Sequence, residues 1–415
     1  MPLGIALGMT EEERAPVVLP GQSLHVVIYK HTNRCAQSVT ARRCCRREGE
    51  ANEGGKDMQR ATGLHGGDVE EGDATNVRRF AIFARQPDPA STMTSITDRV
   101  ERELGVPGIA SLLAERLEPS DLQSLLLDVY RRVAKRRPMA SVLGEYRTNR
   151  FVRPSTFSPV EMLDWDRAAF SALPSEFTAV DLSPVCPLGA STTIGGLAQD
   201  RAVTTIRNTE VVSDSTNVLA LEAAIRRRAY KRSPATSDAP VHLAASHRLL
   251  RAQHYDNPKL SAHFKVFSLC SAGRDRGGYA VETGALGMHI ATYLAAMRAF
   301  LGSSIQLRVL LTVLDPSPLL AEAAEALLER VRRESPDVDA AFEPTRTVGR
   351  GYYRTLCFWI YGVIDAEEPM QLVDGGCVDW TQRLLSDAKE RLVISGIGSD
   401  RVCGIRRDLE RSRPR

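Results

Sequence analysis

From about residue 98 to 135 apolar residues recur at three- and four-residue spacing: Leu112, Leu113 and Leu117, then Leu122, Leu125, Leu126 and Val129. That period predicts two short amphipathic helices, each with one apolar stripe. Ser95 and Thr97 stand ahead of Asp98-Arg99-Val100-Glu101-Arg102, where a short hydroxyl side chain caps a first helical turn. From about Ser158 helices mix with strands. A helix over 159–173 runs into an extended segment, Phe177 to Val185, which Pro184 and Pro187 stop because proline cannot donate to a ladder. Further strands are predicted near 202–206, 210–213, 241–253, 263–271, 307–314, 356–364 and 391–395, with helices over 215–228 (capped by Ser215 or Thr216), 282–300 and 318–333. The strands at 241–253 and 263–271 flank a polar stretch, His254 to Ser261, and read as a β-hairpin with a long connection. Hairpins among helices, without strict alternation, predict an α+β fold with an antiparallel sheet flanked by helices and a helical N-terminal extension.

Residues 1–92 differ from the rest. They hold Arg42-Arg43-Cys44-Cys45-Arg46-Arg47, a Gly/Glu/Asp-rich middle and only two strand-like scraps, at 25–29 and 80–84. Too little apolar surface is present for a core, so this region is expected to be largely disordered, or a mis-assigned start ahead of Met93. The organisation that follows is a helical accessory region at 93–150, a core at 151–405 and a basic tail at 406–415. The tail reads better as a frayed, solvated end than as an RNA contact. The helices of 93–150 read as a structural cap before a tRNA arm.

Composition narrows the class only a little. With 415 residues and 43% apolar content the chain can bury a large core, and its formal charge of +3 does not by itself announce nucleic acid. The eight cysteines (Cys35, Cys44, Cys45, Cys186, Cys270, Cys357, Cys377, Cys403) lack Cys-x-x-Cys spacing, and no charged start with a long apolar run marks a signal peptide. Reduced thiols and a cytoplasmic location are the expectation. The longest apolar stretch, 356–364, is short and broken by Tyr361 and Gly362, so no membrane segment is expected.

The chemistry-bearing stretch closes the chain: Gly396-Ile397-Gly398-Ser399-Asp400-Arg401 follows the apolar strand 391–395. Read as a strand-to-helix turn, it would let backbone approach a ligand and would aim an arginine at phosphate. A cation at a helix start opposes the dipole unless an anion is bound, which favours a functional Arg401. Arg251 and Phe264, taken singly, are equally well a surface ion pair and a core ring, and Asp214 and Thr216 equally well helix caps.

Three features occur in order: a proline-stopped strand after a helix, a hairpin carrying Leu250-Arg251-Ala252-Gln253 and then His263-Phe264, and the final Gly-x-Gly-x-Asp-Arg. Over about residues 158–405 this resembles motifs one, two and three of class II aminoacyl-tRNA synthetases; order and spacing carry the resemblance, since each motif alone is common. The histidyl branch is most similar. Gly349-Arg350-Gly351-Tyr352-Tyr353 stands where histidyl-type enzymes carry Arg-Gly-Leu-Asp-Tyr-Tyr, and Gly375-Gly376-Cys377-Val378-Asp379 where they carry Gly-Gly-Arg-Tyr-Asp. Asp214-Ser215-Thr216 falls at their Glu-Gly-Thr, a site for the amino acid's ammonium. The resemblance thus extends to histidyl-tRNA synthetase and to the regulatory subunit of ATP phosphoribosyltransferase.

What the resemblance implies is ATP-dependent adenylation of an amino acid or related small carboxylic acid, with Mg²⁺ bridging phosphates, and positioning rather than a general base as the protein's task. Arg251 would bind the α-phosphate, Gln253 the adenine side or the Mg²⁺ shell, and Phe264 would stack on adenine beside His263. Arg401 would hold the γ-phosphate and the other adenine face, with Gly396, Gly398 and Asp400 around it. Asp214, Thr216, Tyr352, Tyr353 and Asp379 would line the substrate. The acceptor would be a tRNA, a carrier protein or a small amine, and a homodimer is expected through residues 176–187. No His/Cys cluster suggests zinc. Departures are as informative: Val348 stands where the histidyl enzymes have a catalytic arginine, with Arg350 and Arg354 out of register, and Cys377 and Asp400 replace arginine and glutamate. Val266 and Cys270 replace polar partners of the substrate, which disfavours histidine, because unpaired imidazole nitrogens cost about 1–3 kcal/mol each. Only residues 402–415 follow the last motif, which disfavours an anticodon-binding domain and ordinary tRNA charging. The alternative reading is a catalytically silent paralogue that senses a metabolite for a partner enzyme.

Overall fold

The computed structural model describes residues 95–253, 261–302, 305–363 and 369–411. The expectations for residues 1–92, for the connection at 254–260 and for the last four residues of the tail lie outside these. The chain begins with α1 (Ile96–Leu104), α2 (Ile109–Arg116), α3 (Pro119–Lys135) and α4 (Met139–Thr148). Ser95 caps α1 in a capping box with Asp98. None of these four helices buries a residue. There follow α5 (Pro159–Ser171), β1 (Phe177–Ala179), β2 (Val185–Pro187), β3 (Thr209–Val211), α6 (Ser215–Tyr230), β4 (Val241–Leu250), β5 (His263–Arg274) and α7 (Ala280–Leu301). The remainder is β6 (Gln306–Val313), α8 (Pro318–Glu334), β7 (Asp339–Phe342), β8 (Leu356–Val363), β9 (Met370–Val378), α9 (Trp380–Leu385), β10 (Glu390–Gly398) and α10 (Ser399–Arg411).

Eight strands form one sheet in the order β1-β4-β5-β10-β9-β8-β6-β7, while β2 and β3 make a separate ribbon. The fold is α+β as expected, but the sheet is mixed: both edge pairs, β1 with β4 and β6 with β7, are parallel. Every inner pair is antiparallel. The expected strand near 202–206 is reduced to a single bridge between Thr204 and Glu210. The extended segment from Phe177 divides into β1 and β2, and β4 ends at Leu250, three residues short of the expected limit.

Both sheet faces are covered, which explains runs such as Leu392-Val393-Ile394 with no polar alternation. On one face Phe267, Leu269, Val393 and Ile397 pack with α5, α7 and α8 in the main core. On the other, Cys270, Ala272, Leu392 and Ile394 pack with Leu219, Ala220 and Ala223 of α6 and with Trp380. A fully buried ion pair, Arg227 to Glu390 at 2.9 Å, fastens α6 to the start of β10. Residues 406–411, expected to be frayed, are the helical end of α10: Arg407 pairs with Glu161 of α5 and lies over the Phe157 ring at 4.5 Å.

Candidate functional site

The site lies on the α6 face, where β4 ends and β5 begins. Asp214 caps α6, accepting from Thr216 N at 2.9 Å and from Thr216 Oγ1 at 2.7 Å, so the cap is Asp214 and not Ser215 or Thr216. Arg251, just past β4 and only 6% exposed, donates Nε to the Ser213 carbonyl at 2.9 Å and Nη2 to Asp214 at 3.4 Å. Its guanidinium lies over the Phe264 ring at 5.3 Å. The Tyr352 hydroxyl bonds to Thr216 beside Asp214 and Arg251, and burial pushes its pKa well above the ordinary tyrosine value. Residues from α6, the β4 end, β5 and the loop before β8 thus converge: Asp214, Thr216, Arg251, Phe264 and Tyr352.

Tyr353 continues the wall. Its hydroxyl donates to Asp374 of β9 at 3.2 Å, and its ring meets Tyr352 edge-on at 4.9 Å. Arg346, which sequence reasoning passed over, sits fully buried two residues before Val348, over the Trp359 ring at 3.9 Å and bonded to Asp374 at 2.9 Å. Burial raises the Asp374 pKa while Arg346 opposes it, the pattern of a coupled buried pair. The sequence offers no signal that separates Arg346 from the neighbouring Arg350 and Arg354. Gly375 and Gly376 are required by space: a Cβ on Gly376 would lie 2.6 Å from Tyr353 Cδ1, and one on Gly375 would lie 2.5 Å from Phe358 Cε1.

Other expected residues are placed differently. Gly396 and Gly398 belong to β10 and neither has positive φ, so Gly-x-Gly is strand running straight into α10, not a turn. They pair with Ser268 and Val266, on the face that Phe264 shares. A Cβ on Gly398 would meet only the Arg401 side chain, at 3.6 Å, whereas one on Gly396 would lie 3.0 Å from Val266 Cγ1. Arg401, in the first turn of α10, reaches β9 and donates Nη1 to the Gln371 carbonyl at 2.9 Å. Asp400 accepts from Lys265 N at 2.6 Å, tying α10 to β5, while its buried Oδ1 has no hydrogen-bond partner among the described residues. His263 alternates to the opposite face from Phe264: its ring bonds the Arg153 carbonyl at 2.6 Å and Arg248 at 3.1 Å. Gln253 lies beyond the strand, its carbonyl accepting from Arg150 at 2.5 Å. Asp379 heads α9 and pairs with Arg354 at 2.8 Å; five residues beyond Asp374, it stands at the far end of β9. The five described cysteines are free and buried, and burial raises every one of their pKa values, Cys357 and Cys377 to about 12. Among the described residues no group of three His, Cys, Asp or Glu is placed to hold a metal, and no helix is long and apolar enough to cross a membrane.

No family model matches the chain, and no curated protein matches it. Several solved structures are similar at low identity. An ATP phosphoribosyltransferase regulatory subunit/histidyl-tRNA synthetase from Bacillus halodurans C shares 14% identity at a TM-score of 0.46, over 61% of this chain and 82% of that one. The RNA binding domain of threonyl-tRNA synthetase from Cryptosporidium parvum Iowa II shares 12% at 0.46, over 61% and 65%. Apo histidyl-tRNA synthetase from S. aureus shares 10% at 0.43, over 60% and 66%. The functional reading therefore rests on the side chains.

Proposed function

We propose that this cleft activates a small carboxylic acid with ATP, in the manner of class II aminoacyl-tRNA synthetases. The carboxylate oxygen attacks the α-phosphorus, the bond to the bridging oxygen breaks, and pyrophosphate leaves with its electron pair. The observation that carries the reading is the buried Arg251 guanidinium, over Phe264 and beside Asp214. A planar, permanently charged fork next to an aromatic face offers phosphate and a flat base adjoining partners, and Asp214 with Thr216 offers an ammonium its counter-charge. ATP fits the donor set in that the Arg251 and Arg401 guanidiniums offer phosphate partners and Phe264 a flat face for a base. Magnesium would be held mostly by phosphate oxygens and water, since Asp374 is already engaged by Arg346 and Tyr353. The same reading proposes a homodimer through residues 176–187, with a tRNA or carrier protein as acceptor.

A second reading, a silent paralogue that binds a metabolite, is favoured by one specific feature. Arg251 already has its counter-charge in Asp214, at 3.4 Å. Pyrophosphate exchange into ATP with Mg²⁺, run across the amino acids, separates the two. Exchange with one acid, reduced about a hundredfold or more by Arg251→Ala, supports the enzyme. Saturable ligand binding by calorimetry without exchange supports the silent paralogue, and neither signal overturns both.

A further inference from the structure

On the opposite face of the sheet, where β4 starts, a second group of polar side chains threads the main core. His242 Nδ1 bonds Ser271 Oγ at 2.7 Å, Ser271 Oγ bonds His289 Nε2 at 2.8 Å, His289 Nδ1 bonds Ser395 Oγ at 2.8 Å, and Ser395 Oγ bonds the Tyr293 hydroxyl at 3.0 Å. Tyr293 also reaches the Phe267 carbonyl at 3.5 Å. Such a chain survives burial only if every member is satisfied at once. Burial holds the His289 pKa down to about 3, so its ring is neutral and must donate on one side and accept on the other. Only two orderings are then self-consistent. In one, every donor points toward His242, whose Nδ1 accepts and whose Nε2 carries the proton. In the other every donor points away, and the series ends on the long Phe267 contact.

The His242 end opens into a cavity of about 240 Å³ lined by Pro240, Ser271, Val281, Met288, Arg274 and Arg276. Pro240, Val281 and Met288 give its lining apolar surface beside the polar groups. Among the described residues no hydrogen bond engages His242 Nε2, and the one recorded for the Arg276 side chain goes to the Asp238 carbonyl at 3.2 Å. Arg274 shares Asp387 with Lys231. Arg274 is thus matched by Asp387, so an anion would be held by the Arg276 guanidinium, which makes no ion pair among the described residues, and by His242 Nε2–H. The cavity is partly open to solvent, and since an enclosed one of about 150 Å³ takes benzene, its about 240 Å³ has room for a molecule of benzoate size.

We propose that this cavity is a binding site for a small, largely apolar carboxylic acid, its carboxylate accepting from His242 Nε2–H and from the Arg276 guanidinium. Eight residues of strand, 243–250, separate His242 from Arg251, roughly 30 Å, so the site is distinct from that around Arg251 and does not depend on what that one does. An acceptor at Nε2 selects the ordering in which Ser271 donates to His242 and Tyr293 donates to Ser395. It thereby fixes the Ser395 hydroxyl, one residue before Gly396.

Benzoate is the probe, titrated into the full chain at pH 8 by calorimetry and by ¹⁵N spectra of the histidine rings, with neutral benzamide beside it. We expect benzoate to bind with one equivalent in the millimolar range or tighter, and benzamide at least about tenfold more weakly, as loss of a charge-assisted bond requires. His242 and His289 should both report the Nε2–H tautomer in the complex. Gly284→Leu projects into the cavity from a position where a Cβ meets nothing within 4 Å, and should abolish binding without unfolding the chain. Arg276→Ala, at an exposed position, should weaken it about tenfold or more. No saturable binding at tens of millimolar overturns the proposal. So does affinity unchanged in folded Gly284→Leu, or an Nδ1–H tautomer of His242 in the complex.

Discussion

Gly376→Ala perturbs the wall of the Arg251 cleft without touching a charged group. A Cβ there would lie 2.6 Å from Tyr353 Cδ1, 2.7 Å from Cys357 Cβ and 2.7 Å from the Leu356 carbonyl oxygen. Two of these three belong to strand β8 and cannot swing aside, so the ring must move or the strands must part. Overpacking of this kind costs about 1–3 kcal/mol. If Tyr353 is displaced, its bond to Asp374 is lost as well, which adds about 1 kcal/mol and leaves Asp374 on Arg346 alone. At about 2.1 cal/mol/K per residue over the roughly 300 described residues, a total of about 3 kcal/mol corresponds to a melting temperature lower by about 4–5 °C. Gly398→Ala is the control: its Cβ meets only the flexible Arg401 side chain at 3.6 Å, so its melting temperature should stay within about 2 °C of the parent. Scanning calorimetry on the three proteins decides the matter. A Gly376→Ala protein that melts with the parent would refute the packing argument, and with it the claim that the Gly-Gly pair serves the Tyr353 ring.

Arg227→Ala should destabilise by about 3–5 kcal/mol in urea titrations, because Glu390 is left buried and uncompensated, whereas Arg227→Met with Glu390→Leu should recover most of that loss. A double variant as unstable as the single one would show that the pair contributes more than mutual charge compensation. The hydrogen bond from Lys231 holds the Asp387 pKa down to about 2, from an ordinary 3.8. A depressed carboxylate contributes stability that is fully present above its unfolded value and lost as pH falls through the folded one. Melting temperature should therefore drop between pH 4 and 2 by more in the parent than in Lys231→Met, and parallel curves would count against this.

The main helices were legible because their apolar spacing is long and regular: α6, α7 and α8 fall within a few residues of where periodicity puts them. The β4–β5 hairpin was legible from two apolar runs around a polar connection. Strand β9 was not, since Asp374, Gly375 and Gly376 interrupt its centre with residues that ordinarily break strands; their reason is the Tyr353 ring and the Arg346 guanidinium, contributed from outside the strand. The same effect made Gly396 and Gly398 read as a turn. Two glycines in sequence signal bending, yet β10 is held extended by neighbours on both sides. Of the site, Arg251, Phe264, Asp214, Thr216 and Tyr352 were found as a group. Arg346 was missed because nothing local distinguishes an arginine on a buried tryptophan from one in solvent.

The contact between Arg251 and Asp214 has a thermodynamic consequence for any ligand of the cleft. An anion arriving alone must part the two charges and leave Asp214 unmatched, so it is penalised by the energy of the pair it breaks. A cation arriving alone at Asp214 faces the same obstacle from the other side. When both arrive, one internal pair is exchanged for two external ones, and the cost of separation is shared. Each ligand then tightens the other by the same factor, since linkage between two binding events is reciprocal. Under the proposed function the pair would act as a logical AND between an anionic and a cationic occupant, built from two side chains and one helix cap.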